Sequence, residues 1–246
     1  MPQGSYALPT QIMATTVSVQ KPYILYNRLG SGGFVAEAVL ELAELPYKLN
    51  LLESTPSTPL PSSFHAINPW GQVPVLETPE RDVITELAAM LLYLAATHSS
   101  VTNGPNLRVM DRAAFYRWTV FLSVNIYEGT LRRSYPERYL AQPHKSDAGA
   151  IQSVKAAAFA RNHQAFQLIE EQLCQPRGLC GEGLSPADIF LAMLYAWHNE
   201  RPDLPNCTAM TETVANHPIV RPIWFRNFDH RLDKKWTSLP DGTVPG

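Results

Sequence analysis

The hydrophobic pattern of this chain changes character once, near residue 100, and that change divides it into two folding units. Before it, strand-like and helix-like runs alternate. Pro22–Asn27 (PYILYN) is short, apolar and aromatic and stops at a glycine cluster, the pattern of a buried strand. In Phe34–Leu45 the residues Val35, Ala38, Val39 and Leu42 fall at helical spacing. Tyr47–Leu52, Val73–Leu76 and Asp82–Ile84 read as strands, the Pro- and Ser-rich stretch Ser54–Ser63 as a loop, and Glu86–Ala96 as a helix with Thr85 placed to cap it. This order gives a small α/β unit that mixes parallel and antiparallel pairing. His98–Leu107 is polar and holds Gly and Pro, so a linker is expected there.

From Arg108 onward nearly everything reads as helix: Asp111–Leu131 as one long periodic helix, then Gly149–Leu173, Pro186–His198, Ala209–Ala215 and Ile219–Leu232. The expected organisation is a flexible extension over 1–20, an α/β domain over 21–100, an all-helical domain over 108–237 and a flexible tail over 238–246. With 45% hydrophobic and 17% charged residues, such domains can bury substantial cores.

Composition also narrows function. The net charge is −2 and neither half carries the basic excess that nucleic-acid binding needs, so no nucleic-acid partner is expected. The three cysteines, Cys174, Cys180 and Cys207, are too scattered for a zinc site or a disulfide framework; no metal is expected, and a reducing compartment fits. No apolar run reaches the roughly 18 residues of a membrane-spanning helix. The first residues lack the basic and apolar regions of a secretory signal, so a cytoplasmic protein without a membrane partner is expected.

Two motifs carry chemistry. In Asn68–Leu76 (NPWGQVPVL) a proline directly precedes a short strand and forfeits a ladder hydrogen bond. If the Val73–Pro74 bond is cis, the backbone N–H and C=O of Val73 can face a ligand that pairs as a short extra strand; an ordinary trans turn is the alternative. In Val83–Met90 (VITELAAM) a helix opens directly after a strand, and its unpaired N–H groups and dipole suit a carboxylate. A third motif is structural. Ser185 and Asp188 have the spacing of a reciprocal capping box, with Leu184 and Ile189 placed as its hydrophobic staple.

Together these segments resemble the glutathione transferase family. NPWGQVPVL is similar to its NPxGxVPxL, ITELAAMLLYLA to its ITESxAIxxYL, RLGSGGFVAEAVLELAELPYKLNLLE to its first strand–helix–strand, and GEGLSPADIFLAMLYAW to its helix with a buried capping box. The resemblance covers residues 22 to about 232. It implies a thioredoxin-like α/β domain that binds glutathione as co-substrate, an all-α domain that supplies the pocket for an electrophilic small molecule, and a homodimer. It implies an enzyme that activates the glutathione thiolate for conjugation, isomerisation or elimination, and natural-product metabolism is a plausible setting.

Carried onto this sequence, the resemblance makes Gly32, Gly33, Phe34, Gln72, Val73, Pro74, Glu86 and Leu87 the glutathione-binding positions. The family places Tyr, Ser or Cys at the start of the first helix to stabilise the thiolate; here Gly32 or Gly33 stands there, and Ser31 is the only hydroxyl of the loop. Ser31 is therefore the catalytic candidate. Backbone N–H groups of Gly32 or Gly33 are the alternative, since a nest of amides also holds an anion. Leu87 replaces the serine that meets the γ-glutamyl carboxylate in the family. Tyr116, Asn125, Tyr127 and Arg132 are the substrate-pocket candidates, while Trp118 and Trp197 read as core. The departures at the loop and at Leu87 keep open a non-catalytic binding or assembly protein on the same scaffold.

Overall fold

The computed structural model of the protein describes residues 21–53, 60–108, 111–173, 177–198 and 204–228. The extension expected over 1–20, the tail over 238–246 and Cys174 lie outside the described residues.

The first part is built on a four-stranded sheet of order β2-β1-β3-β4, made by β1 (Tyr23–Asn27), β2 (Tyr47–Leu51), β3 (Val75–Glu77) and β4 (Val83–Ile84). β1 pairs with β2 in parallel, with Leu25 opposite Leu49, and antiparallel with β3, where Leu25 faces Leu76. The alternation of β1 buries Tyr23, Leu25 and Asn27 on one face. Helix α1 (Gly33–Leu42) crosses from β1 to β2 and is buried almost throughout, including the predicted stripe Val35, Ala38, Val39 and Leu42. Helix α2 (Leu87–Thr97) adds Met90, Leu91 and Leu94 to the same core.

The second part is helical: α3 (Ser99–Asn103), α4 (Arg112–Phe121), α5 (Glu128–Ser134), α6 (Ala148–Gln172), α7 (Pro186–Ala196), α8 (Pro205–Asn216) and α9 (Val220–Phe228). Helix α7 is the central one, with every residue buried. Its capping box is present in full. Ser185 Oγ accepts from the Asp188 N–H, and Asp188 accepts from the N–H of Ser185 and of Leu179 and from the Ser185 hydroxyl. Burial pushes the Asp188 carboxyl up, and these donors pull it back. Trp118 and Trp197 are both core residues.

Three expectations change. Residues Ser99–Asn103 of the expected linker form a helical turn. The cap of α2 is Glu86, one residue later than expected, and Thr85 does not cap the helix. The long helix starting at Asp111 is not one regular α-helix. Asp111 caps α4 through its side chain, but Leu122–Tyr127 widens into a six-residue π-helical segment before α5 resumes the α-helix.

The two parts are locked together by α9. Phe34 of α1 meets Trp224 and Phe228 edge to face, with ring centroids 5.4 and 5.0 Å apart. Arg226 donates to buried Glu37, which also accepts from the Tyr47 hydroxyl at 3.2 Å. Asn227 accepts from the Gly30 N–H at 3.0 Å and donates to the Ile223 carbonyl at 2.8 Å. The loop between β1 and α1 is thus held by the last described helix.

Candidate functional site

A cleft of about 360 Å³ runs between the two parts. One wall is α/β: Asn68, Trp70, Gln72, Val73, Pro74, Glu86 and Leu87. The other is helical: Ser123, Tyr127, Glu128, Leu131, Arg138 and Tyr139. Both sequence motifs therefore face one space, although they are separated in the chain.

The α/β wall is shaped by the loop before β3. Asn68 is buried; its amide donates to the Gln72 carbonyl at 2.7 Å, and its side-chain oxygen accepts from the Trp70 N–H at 3.0 Å. The Val73–Pro74 bond that follows is cis. At the other end of this wall Glu86 caps α2 with φ 65°, the left-handed region that a non-glycine residue rarely occupies. Leu87 behind it is buried and offers no side-chain polar atom.

The loop before α1 closes the base of the site. Ser31 is buried; its hydroxyl donates to Asn27 Oδ1 at 2.6 Å and accepts from the Gly33 N–H at 3.4 Å. A side chain at Gly33 would overlap the Asn27 amide, so the loop can pack on Asn27 only with glycine there. Gly32 presents its N–H to the hydroxyl of Tyr127, and a Cβ on Gly32 would lie 2.7 Å from that oxygen. Phe34 is fully buried against α9 and has no place in the cleft wall.

Tyr127 thus spans from the helical wall to the start of α1. Its ring packs edge to face on Phe190 and tilted on Trp197, with centroids 5.9 and 5.7 Å away. Burial pushes its phenol up to about 12, opposed by the Gly32 N–H and raised further by Glu86. Near neutral pH the phenol therefore keeps its proton, with the Gly32 backbone beside it.

The other helical candidates lie elsewhere. Tyr116 is half-exposed on α4 and tilts against Phe115. The Asn125 amide donates back to the Phe121 carbonyl at 3.3 Å. Arg132 approaches Glu128 at 3.7 Å and stacks over Tyr139. Arg133, its neighbour, donates to the Trp197 carbonyl. Instead, Arg138 and Tyr139 of a 3-10 turn (Pro136–Tyr139) enter the wall, together with Ser123, Glu128 and Leu131. Helical spacing could have suggested Ser123 and Leu131, each four residues from Tyr127. Nothing in local sequence marks Arg138.

Among the described residues no cluster of His, Cys, Asp and Glu could hold a metal ion, and no helix is long and apolar enough to cross a membrane. Cys180 and Cys207 are buried, and burial raises both thiols.

Residues 36–97 match the glutathione S-transferase N-terminal domain. The uncharacterised GST-like protein YncG of Escherichia coli is 24% identical over 208 residues, covering 82% of this chain and 97% of that protein. Glutathione S-transferase GST-4.5 of Xanthomonas campestris is 22% identical, covering 76% and 88%. The fold is shared with a glutathione transferase homologue from Sulfitobacter, solved with bound glutathione, at a TM-score of 0.68 and 19% identity over 82% of this chain and 97% of that one. A glutathione S-transferase from Xylella fastidiosa gives 0.68 at 20% identity over 82% and 96%. Residues 36–97 thus carry a glutathione S-transferase N-terminal domain, and the thioredoxin-like sheet joined to a helical domain gives the chain as a whole the glutathione S-transferase fold.

Proposed function

We propose that this protein binds glutathione in the interdomain cleft and holds its sulfur as the thiolate for transfer to an electrophilic small molecule. The observation that carries this reading is the meeting of the Tyr127 hydroxyl and the Gly32 N–H at the start of α1. A thiolate that displaces either contact gains a phenolic donor, an amide donor and the positive end of α1. Only the thiolate is a good nucleophile, so this stabilisation is what the reaction needs.

The rest of the tripeptide has matching groups. Val73, in the segment that lines the cleft, offers backbone for strand-like pairing with the cysteinyl part. The N–H groups opening α2 suit the γ-glutamyl carboxylate, and the Glu86 carboxylate suits its ammonium group. The Sulfitobacter homologue of the same fold, solved with bound glutathione, supports glutathione as the ligand. In our reading Ser31 shapes the loop through Asn27 and reaches the thiolate only by breaking that bond. The reaction that follows is conjugation, or isomerisation or elimination if the adduct later expels glutathione.

A second reading is a binding protein without turnover. It is favoured by the commitment of the Ser31 proton to Asn27 and by the apolar Leu87 where a hydroxyl would hold glutathione. Isothermal titration with glutathione, followed by ultraviolet titration of the bound thiol and an assay with a generic electrophile, separates the two. Binding with a lowered thiol pKa and turnover supports catalysis. Binding with an unshifted thiol and no turnover supports the second reading, and no binding ends both.

We also propose a homodimer. Tyr116, Val120 and Val124 follow one another at four-residue spacing and are 47%, 48% and 62% exposed, an apolar stripe suited to a two-fold partner. Light scattering at micromolar concentration that gives the mass of one chain would end this proposal.

A further inference from the structure

The cleft contains one cation whose role the glutathione reading does not use. Arg138 lines the helical wall, and its guanidinium lies 3.9 Å from the centroid of the Tyr135 ring. Stacking of this kind fixes the plane of the guanidinium and leaves its N–H edge pointing outward, the arrangement that receives a carboxylate through two parallel bonds. Among the described residues no carboxylate pairs with Arg138.

The acidic groups of the cleft are occupied or distant in role. Glu128 accepts from the Tyr139 hydroxyl at 2.8 Å and is approached by Arg132. Glu86 lies at the α2 end, where it acts on Tyr127. Arg28, in the loop after β1, lies close enough to Arg138 for the two cations to repel each other. Arg28 and Arg138, from the two parts of the molecule, thus stand near one another, with Glu86 and Glu128 the acidic groups of the lining.

On the opposite wall Trp70 lines the cleft and is 77% exposed, an unusual exposure for the largest apolar side chain. Leu131 adds apolar surface on the helical wall. The cleft thus combines a planar cation with aromatic and aliphatic surface on its walls.

We propose that the acceptor site of this protein takes an organic acid, an aromatic or conjugated carboxylate whose anion is received by Arg138 and whose flat body lies against Trp70. The proposal rests on the reading of the cleft as the place where glutathione and its acceptor meet, and it names the chemical class of that acceptor. A rival claim on Arg138 exists within the same reading, because glutathione itself carries carboxylates.

The test is equilibrium binding of cinnamate and of its neutral isostere cinnamamide to the full chain and to R138Q, with glutathione titrated into both. Arg138 is exposed, so the substitution leaves the fold intact, and R138K serves as the charge-retaining control. The wild type should prefer cinnamate over cinnamamide by about fivefold, the scale of a solvent-accessible ion pair. R138Q should lose that preference through weaker cinnamate binding alone, R138K should regain part of it, and glutathione should bind both proteins equally. Equal affinity of the wild type for acid and amide overturns the proposal. So does a preference that survives in R138Q, or a loss of glutathione affinity in R138Q that matches the loss for cinnamate. A wild type that ignores glutathione but shows an Arg138-dependent preference for cinnamate overturns the glutathione reading and leaves the acid site standing.

Discussion

The Tyr127 hydroxyl rests against the N–H of Gly32, so a side chain of the helical part completes the start of α1 in the α/β part. If this pair receives the thiolate, Tyr127→Phe removes the phenolic donor and keeps the ring that packs on Phe190 and Trp197. A hydrogen bond to a charged group contributes about 1.5–3 kcal/mol. The expected result is a rise of about one to two units in the bound thiol's pKa and a roughly ten- to hundredfold slower rate at neutral pH. An unchanged thiol pKa in the variant would remove Tyr127 from the mechanism.

Ser31→Ala separates a loop-shaping serine from a catalytic one. Its hydroxyl donates to buried Asn27 Oδ1, and losing that donor leaves the oxygen unsatisfied at a cost of about 1–3 kcal/mol. Denaturant unfolding should show this loss, while the pKa of bound thiol stays at its wild-type value. A raised thiol pKa at unchanged stability would assign the serine to the thiolate directly.

The ion pair between α9 and α1 gives a third test. Glu37 is 2% exposed, its Oε2 has no hydrogen-bond partner among the described residues, and Arg226 is 40% exposed at the side chain. Arg226→Leu strands the buried carboxylate beside Tyr47. We expect a loss of about 2–3 kcal/mol, below the full range for a buried pair because the arginine is partly solvated. The double variant Glu37→Gln with Arg226→Leu should recover most of it. A double variant as unstable as the single one would locate the loss in the packing of the arginine stem.

His98 predicts a pH dependence of stability. Burial holds its imidazole below the ordinary 6.5, with Glu80 opposing. Its Nε2 lies 2.6 Å from the Tyr23 hydroxyl, whose own ionisation is pushed up to about 12. The folded chain thus binds the His98 proton more weakly than the unfolded chain does. The contribution is full above pH 6.5 and is lost as the pH falls through 6.5 toward the lower folded value. His217, also lowered by burial, adds in the same direction. Melting temperature should therefore fall between pH 7 and pH 5, and less steeply in His98→Gln. An identical slope in that variant would exclude His98 as a source.

The parts of this molecule that could be read beforehand are those written in consecutive residues. The short apolar run Pro22–Asn27, the helical stripe of α1 and the capping box of α7 are local patterns, and each appears in the fold. The two cleft motifs, NPWGQVPVL and the start of α2, were legible for the same reason. The arginines were not. Arg132 and Arg133 are adjacent and conspicuous, yet one turns to Glu128 four residues earlier and the other to a carbonyl on α7's far end, while inconspicuous Arg138 enters the cleft. Such choices depend on which partner the tertiary structure brings near. The same holds for Gly30 and Asn227, 197 positions apart, whose bond no periodicity reveals.

The widened segment Leu122–Tyr127 has a consequence for how one helical rod serves two purposes. In an unbroken α-helix of about 3.6 residues per turn, Tyr127 would stand almost directly in line with Tyr116, eleven positions and close to three whole turns away. It would then project from the same side as the exposed stripe of Tyr116, Val120 and Val124. The π segment retards the angular phase, so the register of the rod is reset between its outer stripe and its inner tyrosine. Closing the segment into regular α-helix at the same chain length would advance the inner tyrosine by about one residue's rotation, roughly 100°, and turn it away from Gly32. The irregularity is thus an indexing step that lets a single length of chain face outward at one end and toward the base of the cleft at the other.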